Sequence, residues 1–223
     1  MPLRFHSSHL HVIVVAFLAM APATAQPIRL PEIISGPTNA VPGCVTPGRL
    51  MQFVIARNHA LVPARETDQR FSNVAGFYRS HGECVQKSAG RCISVRWDIA
   101  FFQMLIETNY LTFTGGVRIE DNNFAGIGAT VAGKPGERFA SVQDGVLAHL
   151  QHVLMYAGVT IEHPIARRTR IVEAEVHQRM QRLGRPVTFS DLATVWTGTD
   201  HGTYAASIKR TQKRFADAFC GGG

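Results

Sequence analysis

Apolar residues recur every three to four positions along most of the chain, which is the period of an amphipathic helix. Two segments at the start of this pattern, 46–58 and 69–84, predict helices, and Thr46 followed by proline is a typical helix start. The apolar residues that share a face in these two segments are Leu50, Phe53, Val54, Phe71, Val74, Ala75 and Tyr78. The strongest helical pattern follows in "VRWDIAFFQMLIETNYL", residues 95–111.

The second half of the chain is also predicted to be helical, after a break over residues 112–138 that is rich in glycine and asparagine. That break predicts loops with one short hairpin. A helix over 141–158 begins at the capping Ser141, has Asp144 in its first turn and ends at Gly158. Beyond it we expect a basic linker over 163–170 and helices over 171–184, 188–199 (capped by Ser190 or Thr188) and 203–219. The pattern predicts an α+β fold, predominantly α-helical, with a small irregular or β lobe inserted after the central helix.

Composition narrows the class of protein. The chain has 223 residues, 45% hydrophobic and 17% charged, which is typical of one folded domain with a real core. Its formal charge of +7 favours acidic or polyanionic partners: nucleic acid, an anionic membrane surface or the cell wall. No glycine-rich phosphate loop and no serine-nucleophile elbow is present, and no cofactor is predicted.

The N-terminal residues indicate export. A basic residue precedes the apolar run "HVIVVAFLAMA", and Ala23 and Ala25 are spaced as in a signal-peptidase site. We therefore predict a signal peptide over 1–25, an extended segment over 26–45 and one domain over 46–220. An uncleaved membrane anchor is the alternative, although the run is short for a span. The expected location is periplasmic or secreted, with no stable membrane insertion after cleavage and no nucleic-acid partner.

Four cysteines in an exported chain suggest two disulfides. Cys84 and Cys92 flank a short loop and form the easiest local pair. The remaining pair, Cys44 and Cys220, would then join the two ends of the domain. Zinc is not expected, because no two cysteines have the close spacing of a zinc-ligand pair.

Glu107 is the candidate catalytic residue. On a helix over 95–111 it falls on one stripe with Ala100, Gln103 and Tyr110. It lies in the last turn, where the helix dipole and apolar neighbours both disfavour a carboxylate. Both effects raise the pKa of the carboxyl group, as a general acid near neutral pH requires. An ordinary solvated glutamate at a helix end is the alternative.

The segment after Glu107 resembles a known enzyme family. "ETNYLTF…EDNNFAGIGA" is similar to the signature of the glucosaminidase family of peptidoglycan hydrolases (glycoside hydrolase family 73, lysozyme-like superfamily), with Ala125 where the family has phenylalanine and the aromatic moved to Phe124. "ERFASVQDGVLAHLQHVL" resembles the segment that follows the family's small lobe. "WTGTDHGTYAASIKR" resembles its C-terminal element, with His201 and Gly202 where proline is expected. The residues that carry the resemblance are Glu107, Asn122, Asn123, Phe124, Gly126, Ile127, Thr199, Asp200, Tyr204, Ala205 and Ile208.

This resemblance implies a lysozyme-like domain with Glu107 as general acid. A second carboxylate that activates water in an inverting reaction is expected in the small lobe, with Glu137 as the best candidate and Glu120 and Asp121 as rivals. The substrate's own acetamido group is the alternative to a second carboxylate. Candidate substrate-binding residues are Tyr110, Asn122, Asn123, Phe124 and Tyr204, although for the two asparagines we favour a turn-shaping role.

The remaining tryptophan, histidine and basic residues are assigned structural or surface roles. Trp97 and Trp196 are expected in the core. His149 and His152, three residues apart, are expected to pack and hydrogen-bond rather than bind metal, because no third ligand is evident. Seven basic residues are predicted to form a basic surface: Arg167, Arg168, Arg170, Lys209, Arg210, Lys213 and Arg214. This surface either steers the protein to anionic wall polymers or is an ordinary solvated surface.

The resemblance implies a hydrolase that cleaves β-1,4 bonds of peptidoglycan glycan strands after N-acetylglucosamine. A muramidase or lytic transglycosylase is the close alternative, since the same acid serves both reactions. A non-catalytic wall-binding or secretion-accessory protein is the alternative from another class. Peptidoglycan is the expected partner, with envelope-spanning machinery as a further one.

Overall fold

The computed structural model describes residues 29–58, 71–113, 117–129, 135–196 and 202–221. These ranges contain seven α-helices, a two-stranded antiparallel sheet and a short 3₁₀ helix, Ile119–Asp121. In chain order the elements are α1 (Pro47–Ile55), α2 (Val74–Gly82), β1 (Gln86–Ser88), β2 (Arg91–Ile93), α3 (Trp97–Glu107), α4 (Val142–Tyr156), α5 (Arg167–Gln181), α6 (Phe189–Trp196) and α7 (Thr203–Phe219). The predominantly α-helical α+β class predicted from the sequence is confirmed.

Helix α3 lies at the centre of the fold. Every residue from Trp97 to Leu105 is buried, because α2, α4 and α7 all pack against this helix. Aromatic rings fill the space around it: the centroid of Phe102 lies 6.5 Å from that of Phe53 on α1 and 5.5 Å from that of Phe215 on α7. Such edge-on and tilted pairs stabilise a core beyond the area they bury. The central helix therefore holds its last residue, Glu107, at a fixed place.

The start of α3 is anchored by a buried ion pair. The Arg96 guanidinium donates to both carboxylate oxygens of Asp98, with Nη2–Oδ2 at 2.6 Å and Nε–Oδ1 at 2.8 Å. Its Nη1 also donates to Oδ1 of Asn39 at 3.0 Å. Two parallel bonds to one carboxylate fix direction as well as distance. The pair therefore ties the N-terminal end of α3 to the extended segment that precedes α1.

The helix starts that carry a capping side chain are confirmed. Thr46 Oγ1 accepts from the backbone N–H of Arg49 at 3.3 Å, and Ser141 Oγ accepts from that of Asp144 at 3.0 Å. Helix α7 has both predicted ends. Helices α2 and α3 begin later than predicted, at Val74 and Trp97, so Phe71 is buried in the turn before α2 rather than within it.

Two predictions about the irregular regions are wrong. The hairpin does not lie within the described part of 112–138, where turns and the 3₁₀ helix are found; it is β1–β2, inside the Cys84–Cys92 loop. The segment 163–170 is not a linker throughout, because α5 begins at Arg167. The anion that stabilises this helix start is the carboxylate of Glu137, 30 positions earlier in the chain.

The segment before α1 contains no helix in its described part, but it packs against the rest of the fold. Of the predicted extended segment 26–45, residues 29–45 are described, and Leu30 and Ile33 in it are buried. Ile33 donates its N–H to the carbonyl of Val187 at 2.9 Å and accepts from Arg96 N–H at 2.8 Å. The segment therefore lies between the start of α3 and the residues before α6. The predicted signal peptide, 1–25, lies outside the described residues.

Both predicted disulfides are present. Cys84–Cys92 closes the hairpin, and Cys44–Cys220 joins the residues before α1 to the end of α7, across 176 positions of sequence. Arg49 adds a second tie at the same place, donating to the carbonyl of Phe219 at 3.1 Å. Among the helices of the described ranges, none has both the length and the apolar character that a membrane span requires.

Candidate functional site

Glu107 is the last residue of α3 and meets side chains from two other helices. After it the chain leaves the helix through Thr108 and three residues with positive φ, Asn109, Tyr110 and Leu111. Trp196, at the end of α6, donates from Nε1 to Glu107 Oε1 at 3.0 Å. Tyr204, in the first turn of α7, donates its hydroxyl to the same oxygen. Three helix ends thus converge on one carboxyl group.

The other carboxyl oxygen of Glu107 faces a glycine. Gly126 has φ of +61°, and a Cβ built there would lie 3.6 Å from Glu107 Oε2. Glycine adopts this backbone conformation readily and leaves the space beside Oε2 free of side chain. The two oxygens therefore differ: Oε1 is held by two donors, and Oε2 faces a half-exposed backbone turn.

The pKa of Glu107 is raised above the usual glutamate value. Burial is the main cause, because it removes water from the charged form, while the hydrogen bonds from Tyr204 and Trp196 lower the pKa in part. The net upward shift agrees with the direction predicted from the sequence. A carboxyl group in this environment can hold its proton closer to neutral pH and deliver it to a substrate.

Trp196 packs against three aromatic side chains of α4. Its ring centroid lies 6.0 Å from that of His149, 5.4 Å from that of His152 and 5.6 Å from that of Tyr156. These contacts hold the indole in place with its N–H directed at Glu107. Trp196 packs against the core as expected, although it is half-buried and also donates to the candidate acid. Trp97, in contrast, is buried in the core as expected.

The two α4 histidines are hydrogen-bonded and uncharged. His149 is hydrogen-bonded through both ring nitrogens, Nε2 with Gln103 Oε1 at 3.3 Å and Nδ1 with the Tyr78 hydroxyl at 2.7 Å. His152 Nδ1 is bonded to Thr169 Oγ1 at 2.8 Å. Burial lowers the pKa of each ring to about 3, so both are neutral at physiological pH. They place no positive charge behind Glu107.

The described ranges hold no cluster of three histidine, cysteine, aspartate or glutamate side chains suited to a metal ion.

The two asparagines of the signature shape the turn beside Glu107. Asn123 donates from Nδ2 to the carbonyls of Ile127 and Glu137, both at 2.9 Å, and its Oδ1 accepts from Ile127 N–H at 2.9 Å. Asn122 has φ of +50° and donates to the carbonyl of Phe139 at 3.0 Å. Asn123 is 1% exposed and has no group left for a substrate. The turn-shaping role favoured for the pair fits these contacts.

Glu137 binds the backbone at the start of α5. Its Oε2 accepts from Arg167 N–H at 2.7 Å and its Oε1 from Arg168 N–H at 2.6 Å. Helix α5 has no acidic residue in its first turn, so Glu137 supplies the anion that the helix N-terminus favours. This contact explains why the helix begins four residues earlier than predicted. It also assigns both oxygens of Glu137 a structural partner, which argues against Glu137 as the water-activating carboxylate.

Glu137→Gln is expected to lower the free energy of unfolding by about 1–2 kcal/mol, because it removes a capping charge. Urea denaturation measures the loss, and Glu175→Gln, an exposed site later on α5, is the matched control. An unchanged stability combined with a hundredfold slower reaction would instead identify Glu137 as a catalytic base.

Two further candidates, Phe124 and Tyr110, pack against other aromatic rings. Phe124 is fully buried, with its ring centroid 5.9 Å from that of Phe71 and 6.0 Å from that of Phe113, so no ring face is left for a sugar. This corrects its assignment to substrate binding. Tyr110 is not on the helical stripe with Glu107, since α3 has ended; its ring lies 6.3 Å from that of Phe53. Tyr204 is the predicted aromatic residue that reaches Glu107.

Asp121 and Glu120, the alternative candidates for the second carboxylate, have other surroundings. Asp121 Oδ2 accepts from the N–H of Arg118 at 3.1 Å, across the 3₁₀ helix. Glu120 is exposed and lines a separate cavity. Thr199 and Asp200 lie outside the described residues. The seven residues of the predicted basic surface lie on two helices, in the first turn of α5 and on the outer face of α7, where Lys213 pairs with Asp217 at 2.8 Å.

Comparison with known proteins gives little beyond this geometry. No family model matches the chain, and no solved structure matches it. A protein of Borreliella burgdorferi, described as "Uncharacterized protein", is 46% identical over 63 residues, which is 28% of this chain and 31% of that protein. The chain thus matches about a third of the length of this relative, and the similarity extends to a segment only.

Proposed function

We propose that the protein is a peptidoglycan hydrolase that cleaves β-1,4 glycosidic bonds with Glu107 as general acid. One observation carries the proposal: a carboxyl group of raised pKa, held by Trp196 and Tyr204 through one oxygen, with the other oxygen facing Gly126. A glycosidic bond breaks when its leaving oxygen is protonated, so a poised carboxylic acid is the group that this reaction needs most. The resemblance of residues 107–128 to glucosaminidases agrees with this choice.

The hydrogen bonds suggest which oxygen carries the proton. Oε1 accepts from two donors, so the proton of the neutral acid belongs on Oε2, beside Gly126. A glycan strand lying across that turn would present its glycosidic oxygen to Oε2. The proton passes to that oxygen as the bond to the anomeric carbon breaks, and Glu107 becomes a carboxylate.

The attacking group is proposed to come from the substrate. Because both oxygens of Glu137 bind the start of α5, the carbonyl oxygen of the sugar's acetamido group is the better candidate to attack the anomeric carbon. Water then opens the cyclic intermediate, and the Glu107 carboxylate takes the proton that this water releases. The acid is thereby regenerated and the cycle closes.

The wider context of the proposal is a lysozyme-like domain acting outside the cytoplasm. The helical architecture with an irregular lobe after the central helix is compatible with that fold. Two disulfides fit an oxidising compartment, such as the periplasm or the exterior. The proposed partner is the peptidoglycan glycan strand, with envelope-spanning machinery as a further candidate.

Digestion of purified peptidoglycan tests the proposal. The protein is incubated with sacculi, the soluble fragments are reduced, and mass spectrometry identifies the sugar at each new end. Reduced N-acetylglucosamine supports the glucosaminidase reaction, reduced N-acetylmuramic acid indicates a muramidase, and an anhydro sugar indicates a lytic transglycosylase. Binding to the sacculi without released fragments would favour the non-catalytic accessory protein instead.

Tyr204→Phe is expected to shift the alkaline limb of the pH–rate profile upward. The Tyr204 hydroxyl bonds to Glu107 and lowers the pKa of its carboxyl group, so removing it raises that pKa further. The acid form then persists to higher pH, while the lost contact leaves it less well oriented and the maximal rate falls. Tyr110→Phe, a tyrosine that packs on Phe53, is the control and should leave the profile unchanged. A downward shift would contradict the assigned hydrogen bond.

A further inference from the structure

A buried polar network lies behind Glu107 and is not used by the proposed reaction. It consists of His149 on α4, Gln103 on α3 and Tyr78 on α2, and all three residues are 0% exposed. The imidazole ring of His149 is bonded at one nitrogen to Gln103 Oε1 and at the other to the Tyr78 hydroxyl. The Tyr78 ring also meets the imidazole edge-on, with centroids 5.7 Å apart. Because the ring is bonded at both ends, three helices fix its position and its rotation.

This network reaches Glu107 by two routes. Gln103 lies four residues before Glu107 on α3, about one helical turn away. The His149 ring lies 6.0 Å from that of Trp196, whose Nε1 donates to Glu107 Oε1. His152 packs on the same indole, but it is bonded to α5 through Thr169 rather than to the helix that carries the acid. The imidazole of His149 therefore connects the helix of the acceptor with the side chain of the donor.

Gln103 carries a cost that packing alone does not explain. The other residues of 99–105 are apolar and buried, and Nε2 of Gln103 has no hydrogen-bond partner among the residues that the structure describes. A buried polar atom without a partner costs stability, and leucine at this position would avoid that cost. What glutamine supplies, and leucine would not, is the hydrogen bond to the imidazole ring. The orientation of that ring is therefore a better reason for a glutamine here than stability is.

The His149 ring acts on Glu107 by its place rather than by charge. Burial lowers the pKa of the ring to about 3, so it is neutral at physiological pH and exerts no full-charge attraction on the carboxyl group. Its influence passes through the Trp196 N–H, and that hydrogen bond lowers the pKa of Glu107. If the indole moves away, the pKa of Glu107 rises further and the carboxyl group loses one of its two orienting donors.

We propose that His149 is a positioning residue for the general acid. Its ring, held by Gln103 and Tyr78, keeps the Trp196 indole directed at the carboxyl group. Both nitrogens of the ring are already bonded, so His149 acts on the acid through Trp196 and not by a bond of its own. The inference rests on the proposed function, but the positioning itself can be measured without a substrate.

The test compares His149→Leu and Gln103→Leu with the unmodified protein by NMR. Leucine has nearly the volume of either side chain, so little room opens for water. We expect the indole proton of Trp196 to move upfield as its hydrogen bond weakens, while the indole signal of Trp97, in the core, stays in place. A carbon titration should show a raised pKa of Glu107 in both variants, because the bond from Trp196 lowers it in the unmodified protein.

The kinetic readout separates positioning from stability. On peptidoglycan, His149→Leu should lower kcat by roughly tenfold or more with KM little changed, since a misplaced acid slows the chemical step rather than binding. Gln103→Leu should have the smaller effect, because it leaves the imidazole ring and its bond to Tyr78 in place. Met155→Leu, a volume-conserving change at another buried residue of α4, is the matched control and should leave both NMR signals and the rate unchanged.

An unmoved Trp196 signal with an unchanged or lowered pKa of Glu107 would overturn the proposal and leave the network as core packing. Gln103→Leu decides the matter if His149→Leu does not fold. Equal shifts in Met155→Leu would also overturn it, because any change in the core would then reach the acid. Failure of the proposed function looks different: the expected shifts in a protein that releases no fragments from peptidoglycan would remove the hydrolase and keep the positioning of Glu107.

Discussion

Glu107→Gln is expected to slow the release of new reducing ends from peptidoglycan by roughly 10²–10⁴-fold, the contribution that a positioned general acid typically makes. Glutamine has the shape of the acid and can still accept from Trp196 and Tyr204 through its amide oxygen. It has no proton to give to the leaving oxygen. The loss should therefore fall on kcat, with substrate binding little changed.

The matched control is Glu83→Gln, an exposed glutamate that pairs with Arg79 at 2.8 Å. It makes the same chemical change, from a carboxyl group to an amide, away from the site and should keep the full rate. Equal rates in the Glu107 variant and the unmodified protein would leave hydrolysis possible but assign the acid to another residue. If the Glu107 variant loses activity because it misfolds, its free energy of unfolding will be lower than that of the unmodified protein.

That stability has an expected pH dependence. Because the pKa of Glu107 is raised in the folded state, folded protein binds more protons than unfolded protein between the unfolded and the folded pKa values. The Glu107 carboxyl group therefore lowers the free energy of unfolding as pH rises through that interval. Glu107→Gln removes this contribution and should be at least as stable as the unmodified protein at neutral pH, as thermal unfolding at several pH values will show.

Removal of the Cys44–Cys220 disulfide by a double serine substitution is expected to cost up to about 5 kcal/mol of unfolding free energy, since it closes a very long loop. The bond spans 176 positions, so it restricts nearly the whole unfolded domain. Urea denaturation of the oxidised proteins measures the effect.

The second disulfide is the internal control for this expectation. Cys84–Cys92 spans only eight positions, for which the same loop-entropy argument gives about 2.5 kcal/mol. The terminal bond should therefore matter more. An equal or larger loss from the hairpin bond would mean that the ends of the domain are held chiefly by packing, such as the contact of Phe53 with Phe215 and Phe219.

The parts of the fold that depend on neighbouring residues could be predicted from the sequence. The caps at Thr46 and Ser141 lie within three residues of the N–H groups they bind, and the amphipathic pattern of α7 gave both of its ends. The hairpin disulfide followed from the close spacing of its cysteines in a chain with a predicted signal peptide, and Cys44 and Cys220 were the pair that remained. Glu107 could be chosen from its place at the end of an apolar helix together with the resemblance around it.

Three side-chain roles that depend on distant residues could not be predicted. Glu137 caps a helix that begins 30 positions later, so its carboxylate looked free in the sequence. Trp196 reaches Glu107 across 89 positions, and no local pattern separates such a tryptophan from one in the core. Phe124 matched an enzyme motif, yet its ring is enclosed by Phe71 and Phe113 from other segments. In each case tertiary packing, rather than sequence spacing, decides the role.

The most direct test of the central claim is a carbon NMR titration of the Glu107 carboxyl group, set beside the pH dependence of peptidoglycan cleavage by the same protein. We predict a pKa above the usual glutamate value, because burial outweighs the two hydrogen bonds. We also predict that the alkaline limb of the cleavage rate falls at the pH where this carboxyl loses its proton. An ordinary or lowered pKa, or an alkaline limb that does not coincide with it, would contradict the assignment of Glu107 as the general acid.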